Sequence, residues 1–389
     1  MVYPSPAPLL LTYGYGVPMP VDSCPDAPFL PPWYLRSGLL MTLYMAFVAP
    51  HTWAQTIQLP PVPYQDHIFE GQGQVPLFGQ WAVPPEAKGT LIATYGITGS
   101  LENQWYLDIL GRKAYDRGHG VLLFDWRAHG KTAELSPTLT SDGLYEGDDY
   151  LALAAQAQAL GCPPPYWFVG YSLSGQLALW AGRSAMHLPE DSPLQPEDIG
   201  GVAVICPNLD ANRSLPYLMA APLGQYLEQA IAKELKRLAL KLHQYHPQEF
   251  DLAAIQRANS IWGFDHELVI PRLGFATVED YYAASCPLPF LADLTVPTLI
   301  LYAADDPLFT PDLVPELIAL GQQSPHLEVV VTEYGGHVGY YSGPMGQQLA
   351  NDPDPWWAWN RVLDWVEGQR LSPVNPTRSE AMAIDSKTS

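Results

Sequence analysis

The stretch Tyr166-Trp167-Phe168-Val169-Gly170-Tyr171-Ser172-Leu173-Ser174-Gly175 joins a short apolar run to a segment rich in small residues that continues to Ala185. The apolar run predicts a buried strand, and the segment after it predicts a helix. A serine on a sharp turn between a strand and a helix is the layout of a nucleophile elbow. The turn closes only if the residues two before and two after the serine are small, as Gly170 and Ser174 are. Ser172 is therefore a candidate nucleophile, and an ordinary strand-to-helix turn is the alternative.

Partners for such a serine follow two later strands. A serine hydroxyl needs an imidazole base, and the imidazole needs a carboxylate that fixes its tautomer. The runs 297–303 and 327–334 predict buried strands. Asp305, Asp306 and Pro307 follow the first of them, and His337 follows the second between glycines. This order predicts His337 as the base and Asp306, directly before proline, as the acid, with Asp305 as the alternative.

A glycine-containing loop follows an early predicted strand, 90–95. Hydrolysis of an ester requires donors aimed at the developing oxyanion, and loss of one typically costs about 100-fold or more in rate. The glycines of the loop 96–100 allow close backbone approach. The backbone N–H groups of Ile97 and Leu173 are the candidate pair, and a plain connection is the alternative for this loop.

The order of predicted strands and helices indicates a single α/β domain with a mostly parallel central sheet flanked by helices. About 90 residues separate the predicted strand 201–206 from the next strand, far more than one crossover needs. We therefore expect a helical cap insertion at about 208–290. Within it, apolar residues at three- or four-residue steps predict an amphipathic helix: Leu223, Leu227, Ile231, Leu235, Leu238 and Leu242. Four basic residues near its polar side could attract an anionic lipid surface or head group, or form a solvated face: Lys233, Lys236, Arg237 and Lys241.

The two ends of the chain differ from this domain. Residues 1–28 are rich in proline and tyrosine and predict an irregular N-terminal arm, and 372–389 predict a disordered tail. The domain itself is expected to cover 29–371. The apolar stretch 39–49 is well short of the roughly 20 residues of a membrane-spanning helix, so we expect a helix packed on the core, with a lipid-access element as the alternative. The N-terminus lacks the features of a secretory signal, which favours a cytoplasmic protein.

Charge and cysteine content exclude other classes. The 389 residues carry a net charge of −21, which opposes binding to a phosphate backbone, so nucleic acid is not an expected partner. Cys24, Cys162, Cys206 and Cys286 are widely spaced and form no metal-ligand pattern. We expect reduced thiols, no metal and no cofactor.

Several segments resemble the YheT-like α/β-hydrolases, a family that includes abhydrolase-domain lipases and esterases of eukaryotes. The resemblance spans roughly residues 29–340. The cap motifs are the most specific part of it. It rests on these segments: Pro31-Pro32-Trp33, Gly96-Ile97-Thr98-Gly99-Ser100, Arg127-Ala128-His129-Gly130, Phe264-Asp265, Gly274-Phe275, Asp280-Tyr281-Tyr282 and Gly336-His337-Val338-Gly339.

The chain departs from the family pattern at three places. Tyr95 stands where the family usually has histidine, and Ser174 stands where glycine is usual. The segment 37–42 is apolar where the family has a polar one. None of these departures removes Ser172, Asp306 or His337.

The resemblance implies an α/β-hydrolase fold and a serine hydrolase that cleaves carboxylic esters, with an acyl ester or lipid as substrate. An alcohol O-acyltransferase would use the same three residues. A non-catalytic binding protein on this fold is the other alternative. The fold alone does not decide among them.

Overall fold

The computed structural model, which describes residues 27–371, is built around one eight-stranded sheet. The strands in chain order are β1 Gln65–Glu70, β2 Pro76–Ala82, β3 Thr90–Ala93, β4 Gly120–Phe124, β5 Tyr166–Tyr171, β6 Ile199–Ile205, β7 Thr298–Ala303 and β8 Leu327–Thr332. Their order in space is β1-β2-β4-β3-β5-β6-β7-β8. Strand β2 is antiparallel to β1 and β4, and the remaining pairs are parallel. The predicted mostly parallel sheet is confirmed.

Helices connect and cover the strands. The α-helices are α1 Gly38–Phe47, α2 Ala49–Thr52, α3 Trp105–Asp116, α4 Thr132–Leu135, α5 Glu146–Ala159, α6 Leu173–Ala185, α7 Ala211–Met219, α8 Pro222–Tyr245, α9 Leu252–Arg257, α10 Ile261–Phe264, α11 Ile270–Leu273, α12 Val278–Ser285, α13 Leu313–Gln323, α14 Pro344–Ala350 and α15 Trp357–Leu371. A π-helical turn, Asp265–Val269, links α10 to α11. Short 3₁₀ turns lie at Trp33–Leu35, Trp53–Gln55, Gln72–Gln74, Pro196–Asp198 and Leu288–Asp293.

Helices cover both faces of the sheet, as two neighbouring residues of β5 demonstrate. Successive side chains of a strand point to opposite faces. Trp167 packs edge-on against Trp365 of α15, whereas Phe168 packs against Tyr150 of α5. Because both faces are covered, every residue of β5 is buried, and the strand is apolar without alternation.

The connection between β6 and β7 contains helices α7 to α12, and we call residues 208–290 the cap segment. It forms a second hydrophobic cluster that also includes Ala128, Ala133 and Leu139 from the connection between β4 and α5. Helix α8 spans the whole leucine periodicity, with Leu235 and Leu242 buried. The cap segment therefore has a hydrophobic cluster of its own, completed by residues of the connection that follows β4.

The predicted helix at 39–49 is observed as α1 followed by the short α2. Residues 1–26 and 372–389, where we expected an arm and a disordered tail, lie outside the described residues. Across 27–371, no helix combines the length and hydrophobicity needed to cross a membrane.

Candidate active site

Ser172 lies at the junction of β5 and α6 with a strained backbone, φ 55° and ψ −124°. Left-handed backbone of this kind is uncommon for a residue with a side chain and concentrates at functional sites. The turn is tight, since a Cβ on Gly170 would lie 2.1 Å from the carbonyl oxygen of Ser174. The two sequence positions that the elbow requires to be small are therefore in contact.

Ser174, which replaces the usual glycine of the family, is accommodated by hydrogen bonds. Its buried hydroxyl accepts from the backbone N–H of Tyr171 at 2.8 Å and is 2.9 Å from the carbonyl oxygen of Thr94, to which it donates. Thr94 directly follows β3. Ser174 therefore hydrogen-bonds the elbow to the end of the neighbouring strand, and the turn is intact.

His337 lies between the serine and a carboxylate. Its Nε2 is 2.8 Å from the Oγ of Ser172, and its Nδ1 is 2.8 Å from Oδ2 of Asp306. The other oxygen of Asp306 accepts from the backbone N–H of Leu308 at 2.9 Å. Phe309 packs edge-on against the imidazole ring. The structure thus brings together the three residues that the sequence pattern indicated.

Asp305 occupies a different position from its neighbour. Its Oδ1 accepts from the backbone N–H of Gly336 at 2.8 Å, and Oδ2 is buried without a hydrogen-bond partner. Burial raises the pKa of this carboxyl to about 6. Asp305 therefore hydrogen-bonds the backbone before His337, whereas the imidazole hydrogen-bonds Asp306.

Helix α1 buttresses the histidine loop, a role that the sequence did not reveal. The Thr42 hydroxyl accepts from the backbone N–H of His337 at 2.8 Å and donates to the carbonyl oxygen of Gly38 at 2.7 Å. Contact is close, because a Cβ on Gly38 would lie 1.7 Å from the carbonyl oxygen of Asp305. A Cβ on Gly336 would in turn lie 2.3 Å from the carbonyl oxygen of Gly38. The segment 37–42 thus packs directly on the loops that carry His337 and Asp306.

The two candidate oxyanion donors lie beside the serine. Leu173 is the first residue of α6, where backbone N–H groups have no partner within the helix. The loop containing Ile97 approaches from β3, and a Cβ on Gly96 would lie 3.2 Å from the Cβ of Ser172. Ile97, Ser172, Leu173 and His337 all line one cavity. The structure therefore brings both predicted donors to the site.

His129 supports the loop that contains Ile97, a role that could not be assigned from the sequence. Its Nδ1 is 2.8 Å from the carbonyl oxygen of Arg127, so Nδ1 carries the proton. Its Nε2 then accepts from the backbone N–H of Thr98 at 3.2 Å. Burial lowers the pKa of His129 to about 4, which keeps the ring neutral at physiological pH. The ring also stacks on Trp126.

Tyr95 fills the position where the family usually has histidine. Its hydroxyl donates to Asp125, whose carboxylate also accepts from the backbone N–H groups of Leu101 and Lys131. Burial raises the pKa of Asp125 above its ordinary value. The pair joins the ends of β3 and β4 beneath the same loop.

A cavity of about 620 Å³ opens above Ser172. Helix α1 forms one wall, and α7 and α8 of the cap segment form another. Most of its lining is apolar, including Leu43, Phe47, Leu215, Leu218, Ile231 and Leu238. The space next to the serine therefore suits a hydrocarbon chain better than a charged group.

Two buried carboxyl groups, Asp142 and Asp265, also line this cavity. Tyr282 donates its hydroxyl to Asp265. Burial, together with repulsion from Glu146, raises the pKa of Asp142 to about 7. Burial, together with repulsion from Asp142, raises the pKa of Asp265 well above its usual range. The Phe264-Asp265 and Tyr281-Tyr282 motifs thus meet where the cap segment contacts the loop before α5.

Within residues 27–371, no group of three or more histidine, cysteine or acidic side chains is arranged to hold a metal ion. Cys162, Cys206 and Cys286 are free thiols, and Cys24 lies outside the described residues. Burial raises the pKa of the Cys206 thiol, which lies near His337, above its usual range.

Comparison with known proteins finds a matching family profile and several relatives. A family profile described as alpha/beta hydrolase fold matches residues 89–344. The chain is 55% identical over 363 residues to a Synechocystis protein named "Putative esterase slr0264", covering 91% of this chain and 98% of that protein. It is 26% identical to "Putative esterase YheT" of Escherichia coli, covering 74% and 79% of the two chains. It is 24% identical to "Phospholipase ABHD3" of Mus musculus, covering 74% and 69%. The chain belongs to the α/β-hydrolase fold family, among its YheT-like members.

Proposed function

We propose that this protein is a serine hydrolase that cleaves carboxylic esters of acyl or lipid substrates through an acyl-enzyme. The observation that carries the proposal is the position of the His337 ring, with its two nitrogens 2.8 Å from Ser172 and 2.8 Å from Asp306. A non-catalytic protein would have no need to hold a serine at strained backbone angles against an imidazole and a buried carboxylate.

The reaction follows from these contacts. Nε2 of His337 takes the proton as Ser172 Oγ attacks the ester carbonyl, and Asp306 holds the ring and stabilises its charged form. The backbone N–H groups of Ile97 and Leu173 donate to the oxyanion. The proton returns from His337 to the leaving alcohol, which leaves the acyl group on Ser172. Water, activated by the same ring, then releases the acid.

The apolar cavity supports an acyl substrate. Hydrolysis of an ester needs a nucleophile, a histidine ring and two backbone donors, and Ser172, His337, Ile97 and Leu173 all line the cavity. The remaining lining is largely hydrocarbon, which favours a moderately long acyl chain. Relatives named as esterases and a phospholipase support this substrate class.

Labelling by a fluorophosphonate probe tests the proposal. We expect labelling of the wild type and none of Ser172→Ala. Ser214→Ala is the matched control, because Ser214 is a buried serine that lines the same cavity, and it should label normally. A p-nitrophenyl ester series would then give the preferred acyl length. A folded wild type that does not label would contradict the proposal and favour a binding protein.

The acyltransferase alternative differs only in whether an alcohol outcompetes water at the acyl-enzyme. Analysis of products formed with added alcohol separates the two reactions. We further propose a cytoplasmic location, since a reducing compartment suits the free thiols Cys162, Cys206 and Cys286.

A further inference from the structure

Two segments that line the cavity contain no charged residues. Residues 37–65 contain no Asp, Glu, Lys or Arg, and neither do residues 214–227. The protein as a whole carries a net charge of −21, whereas these two stretches carry no Asp, Glu, Lys or Arg. The first segment includes α1, and the second joins α7 to α8. Both supply lining residues of the cavity.

These segments also expose large apolar side chains. On α1, Phe47 is 66% exposed, and its neighbours Ala46 and Val48 are exposed as well. In the second segment, every residue of 216–223 is apolar, and all but Leu218 are exposed. Tyr226 follows at 66% exposure. Consecutive exposed apolar residues are avoided on a protein surface unless they contact something. We call residues 46–48 and 216–226 the mouth surface.

The mouth surface is continuous with the cavity above Ser172. Phe47 and Tyr226 both line the cavity and are largely exposed to solvent. A partner that covers this surface therefore covers the entrance for substrate. A protein partner would close that entrance, whereas a lipid surface would supply acyl chains to it without passage through water.

The charge distribution selects the kind of lipid. Glu228, the first charged residue after this stretch, is buried and accepts from the backbone N–H of Ile261 at 2.7 Å. Two of the basic residues of α8 are engaged within the protein, since Lys236 contacts Asn259 and Lys241 lies 3.7 Å from Glu134. A strongly acidic protein is repelled electrostatically by an anionic lipid surface. An electrically neutral lipid surface does not repel it, so an uncharged contact surface can bind there.

We propose that the mouth surface docks the enzyme on an electrically neutral, zwitterionic lipid surface, from which an acyl chain enters the cavity. The statement that the lipid supplies the substrate rests on the proposed function. Docking itself does not require catalysis. Val48, Met219 and Leu223 are exposed, belong to the mouth surface and do not line the cavity. Substitution of these three residues therefore leaves the candidate catalytic groups untouched.

Sedimentation with phosphatidylcholine vesicles tests the proposal, in a Ser172→Ala background so that no lipid is consumed. We expect the wild-type surface to bind, and Val48→Glu/Met219→Glu/Leu223→Glu to reduce the partition coefficient at least tenfold. The same three positions changed to serine should weaken binding without added charge. Ile68→Glu is the control, because Ile68 on β1 is 55% exposed and does not line the cavity.

The outcomes separate the alternatives. Failure of the parent protein to bind, or equal binding by the triple variant and Ile68→Glu, overturns the proposal. Stronger binding to phosphatidylserine vesicles at low salt also overturns it and assigns the contact to the basic residues of α8. A dimer in light scattering that the triple variant dissociates would assign the surface to a second copy of the chain.

With Ser172 restored, unchanged turnover of dissolved p-nitrophenyl acetate and unchanged thermal unfolding show that the triple variant is folded. If the wild-type protein binds vesicles but is not labelled by the fluorophosphonate probe, the proposed hydrolase function is contradicted and the docking proposal stands.

Discussion

The hydroxyl of Thr42 accepts a hydrogen bond of 2.8 Å from the backbone N–H of His337, across a separation of 295 residues. The same hydroxyl donates to the carbonyl oxygen of Gly38 one turn earlier in α1. Since His337 follows a glycine pair with positive φ angles, its loop has little intrinsic preference for one conformation. Helix α1 therefore supplies a contact that holds the backbone of His337 in place.

Loss of this contact should lower the rate of the chemical step. We expect Thr42→Val to reduce kcat about tenfold, because small displacements of a catalytic base from its reactive geometry are costly. Thr42→Ser keeps the hydroxyl and should retain most of the rate. Steady-state kinetics on a short p-nitrophenyl ester measures both variants. Full activity of Thr42→Val together with a loss in Thr42→Ser would show that the methyl group, and not the hydrogen bond, matters.

The two neighbouring carboxylates can be told apart by asparagine substitution. We expect Asp306→Asn to reduce kcat by about 1,000-fold or more, because the amide favours the wrong tautomer of His337. Asp305→Asn keeps an oxygen that can accept from the backbone N–H of Gly336 and should stay within about tenfold of the wild type. Asp305 is thus the matched control for Asp306. A larger loss at Asp305 would reverse the assignment.

His129 should contribute to activity by positioning the loop that carries Ile97. His129→Phe keeps an aromatic ring near Trp126 but leaves the Thr98 N–H without its acceptor, so we expect kcat to fall about tenfold or more. The pKa of His129 is about 4, so the ring is neutral throughout pH 6–8. The ratio of mutant to wild-type kcat should therefore be constant over that range. A ratio that titrates near pH 6.5 would show that the ring acts as a base.

Ser174 should matter for stability more than for rate. Ser174→Gly restores the usual family residue but removes the hydroxyl that contacts Thr94 and Tyr171. We expect a loss of about 1–3 kcal/mol in the free energy of unfolding, since the backbone N–H of Tyr171 loses its acceptor in the interior. Urea denaturation measures the change. Probe labelling of Ser172 should be retained, and its loss would show that the hydroxyl is part of the reactive site.

The sequence predicted those parts of the fold and site that depend on local pattern. Strand β5 is buried on both faces and is therefore a continuous apolar run, and the positions flanking Ser172 are small because the turn requires it. The order of Asp306 and His337 after later strands follows from parallel topology, which collects loops at one edge of the sheet. Each of these features depends on a short stretch of sequence or on the order of such stretches.

The supporting contacts could not be predicted in the same way. Thr42 meets His337, and Thr98 meets His129, through packing of segments that are distant in sequence. Such contacts cannot be predicted from the periodicity or the spacing of residues in the sequence. The only signal was indirect, namely that the apolar segment 37–42 replaces a polar one in the family and that His129 lies in a family motif. Assigning the role of each required the coordinates of both partners.

Asp142 should make stability depend on pH. Its pKa rises from the ordinary value of 3.8 to about 7 in the folded protein, with burial as the largest cause. Between these values the folded protein holds a proton that the unfolded chain has released, so stability falls as pH rises through this window. The loss of stability from ionising Asp142 is complete above pH 7.

Asp142→Asn cannot ionise and should raise the midpoint of thermal unfolding at pH 8 far more than at pH 4. Asp148→Asn, at an exposed acidic residue of α5, is the control and should change neither midpoint appreciably. A variant less stable than the wild type at pH 8 would show that the Asp142 carboxylate has a stabilising partner in the folded protein.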